Sequence, residues 1–183
     1  MDKKSFLFGL IVGIAISGLA FVFYSNLEQP QQQAGSSTPV DMPEDEMIQA
    51  MREQISELEE QVGDNPDDVQ LRTQLANFYY DMGEPENAIK HYEKVLELEP
   101  ESPAVLVDCG VMYRQMGRQD KALEMFDKAI EIKPDIQPAY INSIIIYRFD
   151  LNDMEKAGEA FERFKKAFPD DPHIEIFKKE LGL

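Results

Sequence analysis

One sequence pattern in this chain recurs after 34 residues. The run AIKHYEKVLELEP at 88–100 reappears as ALEMFDKAIEIKP at 122–134, and a turn-forming glycine, Gly83 or Gly117, precedes each run. Each copy predicts two antiparallel helices joined by a short turn. A helix pair of this length cannot bury its own apolar face, so copies stack side by side. The repeat therefore predicts an all-α solenoid, a fold that offers a long binding surface rather than a catalytic cleft.

Three copies share small, aromatic and proline residues at matching positions. The members are Arg72, Leu75, Ala76, Tyr79, Ala88, Tyr92, Val95 and Pro100, then Leu106, Cys109, Gly110, Tyr113, Ala122, Phe126, Ala129 and Pro134, then Tyr140, Ser143, Ile144, Tyr147, Ala157, Phe161, Phe164 and Pro169. This pattern resembles the tetratricopeptide repeat (TPR). The resemblance implies a TPR domain at 65–183, with repeats at about 69–102, 103–136 and 137–171 and a capping helix at 172–183.

The third copy departs from the pattern in its turn. Ten residues instead of nine separate Tyr147 from Ala157, and the turn glycine is replaced within 149–153. Ile144 also occupies a position where a small residue is usual. We expect the third helix pair to form with a longer turn.

Residues 5–24 run without a charge, and about 20 residues at roughly 1.5 Å each cross one hydrocarbon core. Lys3 and Lys4 precede the run, and no Lys or Arg follows before Arg52. The positive-inside rule then predicts a transmembrane anchor at 1–24, with a cytoplasmic N-terminus. A cleaved signal peptide is the open alternative. Given the bacterial resemblance below, the expected location is the inner membrane, single-pass, with a periplasmic or extracytoplasmic TPR domain.

Residues 25–43 are rich in Gln, Pro and Ser, which predicts a disordered linker. An acidic amphipathic helix follows at 44–63, with apolar residues three and four apart: Ile48, Met51, Ile55, Leu58 and Val62. This stripe fits either a coiled-coil seam that dimerises the stalk or a lid on the first repeat. Barely two heptads are present, which favours the lid.

In the TPR family the first helix of each repeat lines a concave groove that binds protein or peptide segments. The positions that match in this chain are Thr73, Asn77, Tyr80, Val107, Val111, Arg114, Ile141, Ile145 and Arg148. If this surface is open, it suits an apolar segment whose carboxylates or C-terminus meet Arg114 and Arg148. Alternatively, the valines and isoleucines belong to the core and the final helix covers them. The carboxylate clamp of cytosolic chaperone-binding repeats is absent, because Thr73, Asp108, Pro138 and Asn142 stand at the places of its cations.

The run from Ile55 to Leu71, with Asn-Pro-Asp-Asp at 65–68, resembles membrane-anchored bacterial TPR proteins of cytochrome c biogenesis. In that family the groove presents apocytochrome to the haem-attachment machinery. A general protein-binding scaffold remains the first interpretation, cytochrome maturation the second, and a purely structural envelope component the third.

The sequence carries no signature of catalysis. Its net charge of −17 disfavours nucleic acid as a partner. Cys109, the only cysteine, falls at a packed position, and His91 and His173 lack ligand spacing, with His91 expected in solvent. The acid pairs at 67–68 and 170–171 stand at helix starts. With no phosphate loop, nucleophile elbow or zinc motif, we expect no enzyme activity, no cofactor and no metal.

Overall fold

The computed structural model describes residues 44–183, and within that range every regular element is helical. The elements are α1 (Glu44–Asp64), α2 (Val69–Asp81), α3 (Pro85–Leu98), α4 (Pro103–Gln115), α5 (Gln119–Ile132), α6 (Gln137–Ile145), a π-helical turn (Ile146–Asp150), α7 (Met154–Ala167) and α8 (His173–Leu181). No helix of this part is long and apolar enough to cross a membrane. The predicted anchor at 1–24 and linker at 25–43 lie outside the described residues and stay predictions.

The helices form three antiparallel pairs, α2 with α3, α4 with α5, and α6 with α7. The second helix of each pair also contacts the first helix of the next, so a single apolar core runs through the stack. The first helix α4 contacts the first helices α2 and α6 on either side of it, more closely than successive second helices contact each other. The all-helical solenoid expected from the repeat is therefore present in residues 44–183.

The helix boundaries follow from residues that favour starts and stops. Pro85 and Pro103 begin α3 and α4, where a missing N–H costs nothing. Asp68 caps α2, its carboxylate accepting from the Leu71 backbone N–H at 3.0 Å. Gly83 and Gly117 end the first helices with φ of 67° and 71°, a conformation that glycine adopts without strain.

Gly110 lets the two helices of the second pair approach each other closely. A Cβ added at Gly110 would lie 2.5 Å from Cε1 of Phe126, a ring that is 0% exposed. At the matching position of the third pair, Ile144 is also fully buried. The third pair therefore accommodates a large side chain where the second pair has none.

The extra residue of the third repeat enters the end of the first helix as a π-helical turn. The Leu151 N–H donates to the Ile146 carbonyl at 2.9 Å, and the Asp153 N–H donates to the Tyr147 carbonyl at 2.7 Å. Asn152 takes the glycine's place with a φ of 52°. Asparagine tolerates this left-handed conformation better than other residues with a side chain. The chain thus absorbs the insertion without losing the helix pair.

Helix α1 lies against α2, as the lid interpretation expects. Its residues Ile55, Leu58 and Val62 are buried, and the Tyr79 hydroxyl of α2 donates to Glu59 at 2.6 Å. These positions lie 34 residues before Ile89, Tyr92 and Leu96 of α3. The second half of α1 therefore occupies the place of a second helix in an incomplete repeat.

Polar residues mark α1 as the end of the stack. Gln54 and Gln61 stand 34 residues before Ala88 and Val95, both of which are completely buried. A terminal repeat has no preceding neighbour, so its outer face must be compatible with water. The first turns of α1 extend past the packed region, and Met47 there is 50% exposed.

Helix α8 closes the other end of the stack. Its residues Ile174, Phe177 and Leu181 are buried, and the Phe177 ring meets Phe161 and Phe164 of α7 edge-on, with centroids 6.4 and 6.0 Å apart. The Asp171 carboxylate accepts from the His173 backbone N–H at 2.8 Å where the helix begins. The final helix therefore packs mainly on the second helix of the third repeat.

Candidate binding groove

The first helices present one continuous surface that we call the groove face. On α4, residues 104, 107, 108, 111 and 114 are three or four apart and therefore share one side of the helix. The corresponding sides of α2 and α6 lie next to it, because each of these two helices contacts α4. We define the groove face as Thr73, Asn77, Tyr80, Asp81, Ala104, Val107, Asp108, Val111, Arg114, Ile141, Ile145 and Arg148.

The nine residues predicted from the resemblance lie on these helices and on the π-helical turn, but they differ in exposure. Val107 is 7% exposed and belongs to the core. Val111, Ile141 and Ile145 are only half-buried, although they pack against the core on one side. Their partial exposure shows that these three side chains keep a solvent-facing side, and the aromatic contacts of α8 are with α7. They form an apolar strip across α4 and α6.

Both arginines of the groove face have partners within the chain. Arg114 forms a bidentate ion pair with Asp150, with Nε–Oδ2 at 2.5 Å and Nη2–Oδ1 at 3.0 Å. Arg148 donates through Nε to the Glu180 carbonyl at 3.1 Å and lies 5.1 Å from the centroid of the Phe149 ring. A bidentate pair fixes the guanidinium in one orientation. Arg114 is therefore already paired with a carboxylate, whereas Arg148 is held by a neutral carbonyl and keeps its charge.

The acids at the other side of the groove face are not paired. Asp108 is half-buried, and within residues 44–183 neither it nor Asp81 makes a hydrogen bond or an ion pair. Burial, and to a lesser extent the neighbouring Asp81, raises the pKa of Asp108 to about 7. Burial likewise raises the pKa of Asp81. Helical spacing places both acids on this surface, although Asp108 was expected only to stand where clamp-type repeats carry a cation.

Hydrogen bonds fix the polar residues of α2 on the groove face. The Tyr92 hydroxyl of α3 donates to Asn77 Oδ1 at 2.7 Å, and Thr73 Oγ1 donates to the Val69 carbonyl at 2.7 Å. Tyr80 is half-buried, and burial followed by the charges of Asp108 and Asp81 raises its pKa to about 12. The tyrosine hydroxyl therefore stays protonated and remains a donor beside the two carboxylates.

Two further titratable residues lie behind this surface. Cys109 is buried, and burial, with Glu93 and Asp108 as smaller causes, raises the pKa of its thiol to about 12. The thiol is therefore a packing group rather than a nucleophile. The expectation that His91 is solvated is wrong: its side chain is 8% exposed and stacks on Tyr79 with centroids 5.7 Å apart. The stacking explains the error, because α3 alone does not show that a ring covers this position.

The acidic and histidine side chains of residues 44–183 do not cluster as metal ligands. This part of the chain holds no group of three or more His, Cys, Asp or Glu side chains arranged to bind a metal ion. Asp68 serves instead as a helix cap, and Asp171 accepts from the His173 backbone N–H and lies 2.7 Å from Nδ1 of the same residue.

Comparison with known proteins agrees with this architecture. Two sequence models of the tetratricopeptide repeat match, one over residues 67–135 and one over residues 142–171, which together span more than half of the chain. No curated protein sequence matches.

Solved structures with the same arrangement of helices include MamA and a plant TPR domain. The crystal structure of MamA protein superposes with a TM-score of 0.64 at 20% identity, over 75% of this chain and 77% of that chain. A MamA structure from AMB-1 gives 0.57 at 28% identity, over 67% and 69%. The Arabidopsis OM64 TPR domain gives 0.56 at 15% identity, over 62% and 93%. At these identities the superpositions support the fold.

Proposed function

Because the chain belongs to the tetratricopeptide repeat family, we propose that it is a scaffold that binds a protein segment on its groove face. TPR proteins bind other proteins, and this fold presents long surfaces rather than enclosed cavities. The closer contacts among α2, α4 and α6 favour curvature toward this face. The partner then lies across the first helices of consecutive repeats.

The apolar strip is the observation that carries this proposal. Val111, Ile141 and Ile145 come from two consecutive repeats and keep solvent-facing sides although they lie beside the core. Apolar side chains that continue across elements in this way mark interaction surfaces more often than apolar residues scattered singly. An extended or helical segment with apolar side chains fits such a strip.

We further propose that the scaffold is held at a membrane by one N-terminal helix. The support is the uncharged run at 5–24 with Lys3 and Lys4 before it. A reporter fused after Leu183 tests the orientation: alkaline phosphatase should be active, and a cytoplasmic fluorophore should stay dark. The reverse pattern contradicts the proposed topology. N-terminal sequencing of the mature protein separates an anchor from a cleaved signal peptide.

Site-specific photo-cross-linking tests binding on the groove face. Ala104 is exposed on α4, so replacing it with benzoylphenylalanine adds a reactive group without removing a buried side chain. Lys128, exposed on the outer side of α5, is the matched control, and Ser56, exposed on α1, tests the stalk. We expect a discrete cross-linked partner from position 104 and none from position 128 after irradiation of cells that make the full-length protein.

The three positions give different answers. Cross-links from Ser56 alone would place binding on the acidic helix, and equal cross-links from Ala104 and Lys128 would indicate unspecific contact. Either result contradicts the groove proposal. Mass spectrometry of the cross-linked band identifies the partner. Haem-lyase or cytochrome genes next to this one would favour cytochrome maturation over a general scaffold or a structural role.

A further inference from the structure

The arginines of the groove face have hydrogen-bond partners within the chain, whereas its two acids have none. Arg114 is neutralised by Asp150, and Arg148 is bound to the Glu180 carbonyl. Asp81 and Asp108 make no hydrogen bond and no ion pair anywhere in residues 44–183. Arg148 keeps its positive charge, because a carbonyl oxygen is neutral. A partner therefore meets two unpaired acids and one arginine that no acid neutralises.

The unpaired acids adjoin the apolar strip. Asp108 precedes Val111 by three residues on α4, which places the two side chains next to each other on the helix surface. Ile141 and Ile145 follow on α6, one helix further along the stack, at the usual interaxial distance of roughly 10 Å. A segment that crosses the first helices meets two carboxylates and then three aliphatic side chains within a few residues.

An unpaired Asp108 costs the protein free energy, and this cost indicates which chemical group of a partner would bind there. A half-buried carboxylate loses hydration, and the neighbouring Asp81 adds repulsion, which together raise the pKa of Asp108 to about 7. An ammonium or guanidinium group removes both penalties through charge-assisted hydrogen bonds. A carboxylate from a partner would add a third negative charge and would find Arg114 already paired.

We propose that the groove face binds a protein segment that places a lysine or arginine against Asp108 and Asp81 and apolar side chains against Val111, Ile141 and Ile145. This assignment rests on the proposed protein-binding function and specifies its partner. It replaces the expectation that partner carboxylates meet Arg114 and Arg148. The basic residue supplies orientation, because only one end of the apolar strip adjoins the acids.

Selection from a displayed library of random peptides of about twelve residues tests the assignment on the full-length protein. The wild-type chain should enrich peptides with a lysine or arginine close to aliphatic residues. Asp81→Asn with Asp108→Asn should lose this preference, because amides keep the shape and remove the charge. Asp120→Asn with Asp135→Asn, which changes two exposed acids away from the groove face, should keep it.

A second measurement uses only the wild-type protein, so that it stands even if the double variant folds poorly. A selected peptide and its lysine-to-norleucine version are compared by fluorescence anisotropy. We expect at least about a tenfold loss of affinity without the ammonium group, as for other partly desolvated charge pairs. Added salt should weaken the original peptide and leave the norleucine version nearly unchanged.

Each other outcome contradicts the assignment in a recognisable way. Enrichment of acidic residues or free C-terminal carboxylates, lost in Arg114→Gln with Arg148→Gln, would overturn it and keep the proposed function. Purely apolar peptides with equal affinity for the wild-type protein and the double asparagine variant would do the same. If no sequence is enriched and Ala104 gives no cross-link, both the assignment and the proposed function fail.

Discussion

The Tyr113 hydroxyl donates a hydrogen bond to the Glu93 carboxylate across the boundary between two repeats. The same bond joins Tyr79 to Glu59 one repeat earlier, at 2.6 Å, and each pair is separated by 20 residues. Burial and the hydrogen bond to glutamate raise the pKa of both tyrosines, so they remain donors at physiological pH. The boundary therefore carries a polar link in addition to its apolar contacts, and α1 takes part as if it were a complete repeat.

We expect Tyr79→Phe and Tyr113→Phe each to lower the free energy of unfolding by about 1–2 kcal/mol, because each removes a partly buried hydrogen bond to a charged acceptor. Tyr147→Phe is the matched control. Tyr147 lies 20 residues after Asp127, but Asp127 pairs with Arg163 at 2.9 Å and the Tyr147 hydroxyl makes no hydrogen bond in residues 44–183. Urea denaturation followed by circular dichroism measures the three losses, and equal losses would contradict the link.

Gly110 tests the close approach of α4 and α5. Gly110→Ala should destabilise the protein by about 1–3 kcal/mol, because the new methyl group would lie 2.5 Å from the buried Phe126 ring and must displace it. Gly110→Leu should destabilise it further. Gly158→Ala is the control: nothing lies within 4 Å of an added Cβ there, so α7 should gain up to about 1 kcal/mol of stability from the better helix former.

Thermal melts of these variants give the measurement. Opposite shifts of the melting temperature for Gly110→Ala and Gly158→Ala are the expected result. A stabilised Gly110→Ala protein would show that the Phe126 ring can move without cost, and that the helices do not depend on this contact.

The repeat spacing was enough to predict the helix pairs, because the positions that pack and the residues that begin and end helices recur with it. Asp68 and Pro103, for example, act at helix starts as their residue types indicate. The pairing of Arg114 with Asp150 could not be predicted, since it depends on the π-helical turn that one inserted residue produces. The distance in sequence from Tyr147 to Ala157 shows that one residue is inserted, but it does not show at which position the backbone accommodates that residue.

The burial of His91 shows a different limit. Helical spacing within α3 identifies Ala88, Tyr92 and Val95 as packed, and it leaves the exposure of their neighbour undecided. His91 is buried because the Tyr79 ring of α2 stacks on it, a contact between helices that no pattern within one helix encodes. Whether a residue at the edge of a buried helix face is exposed can be decided only from the structure.

His91 makes stability depend on pH in one direction. Its pKa lies below 6.5, chiefly because burial disfavours the imidazolium, with Lys90 and Arg72 adding repulsion and Glu59 acting in the opposite sense. Its Nδ1 is buried without a hydrogen-bond partner. The unfolded chain therefore binds a proton that the folded chain resists, so stability is present above about pH 6.5 and is lost as the pH falls through that value.

The variant His91→Phe keeps a ring against Tyr79 and removes the titration. We expect the melting temperature of the wild type to fall relative to that of the variant between about pH 7.5 and pH 5.5. A difference between the two proteins that stays constant over this range would contradict a buried neutral histidine.

Asp108 should change the pH dependence of stability in the direction opposite to that of His91. Its folded pKa of about 7 lies above the ordinary value of 3.8, so the folded chain holds a proton that the unfolded chain has released. The stability associated with this group is therefore present below about pH 4 and is lost as the pH rises toward 7. Above pH 7 the protein carries the full cost of an ionised, half-buried and unpaired carboxylate.

Asp108→Asn should therefore stabilise the free protein above pH 7 by about 1–2 kcal/mol, a figure reduced from the full pKa difference because the side chain is partly exposed. The gain should shrink as the pH is lowered toward 4. Glu124→Gln, at an exposed position of α5, should change the melting temperature little at any pH.

Stabilisation of the free protein together with weaker binding of lysine-containing peptides would identify Asp108 as a residue kept for recognition at the expense of stability. A destabilised Asp108→Asn protein at pH 8 would show instead that the carboxylate is already satisfied within the fold.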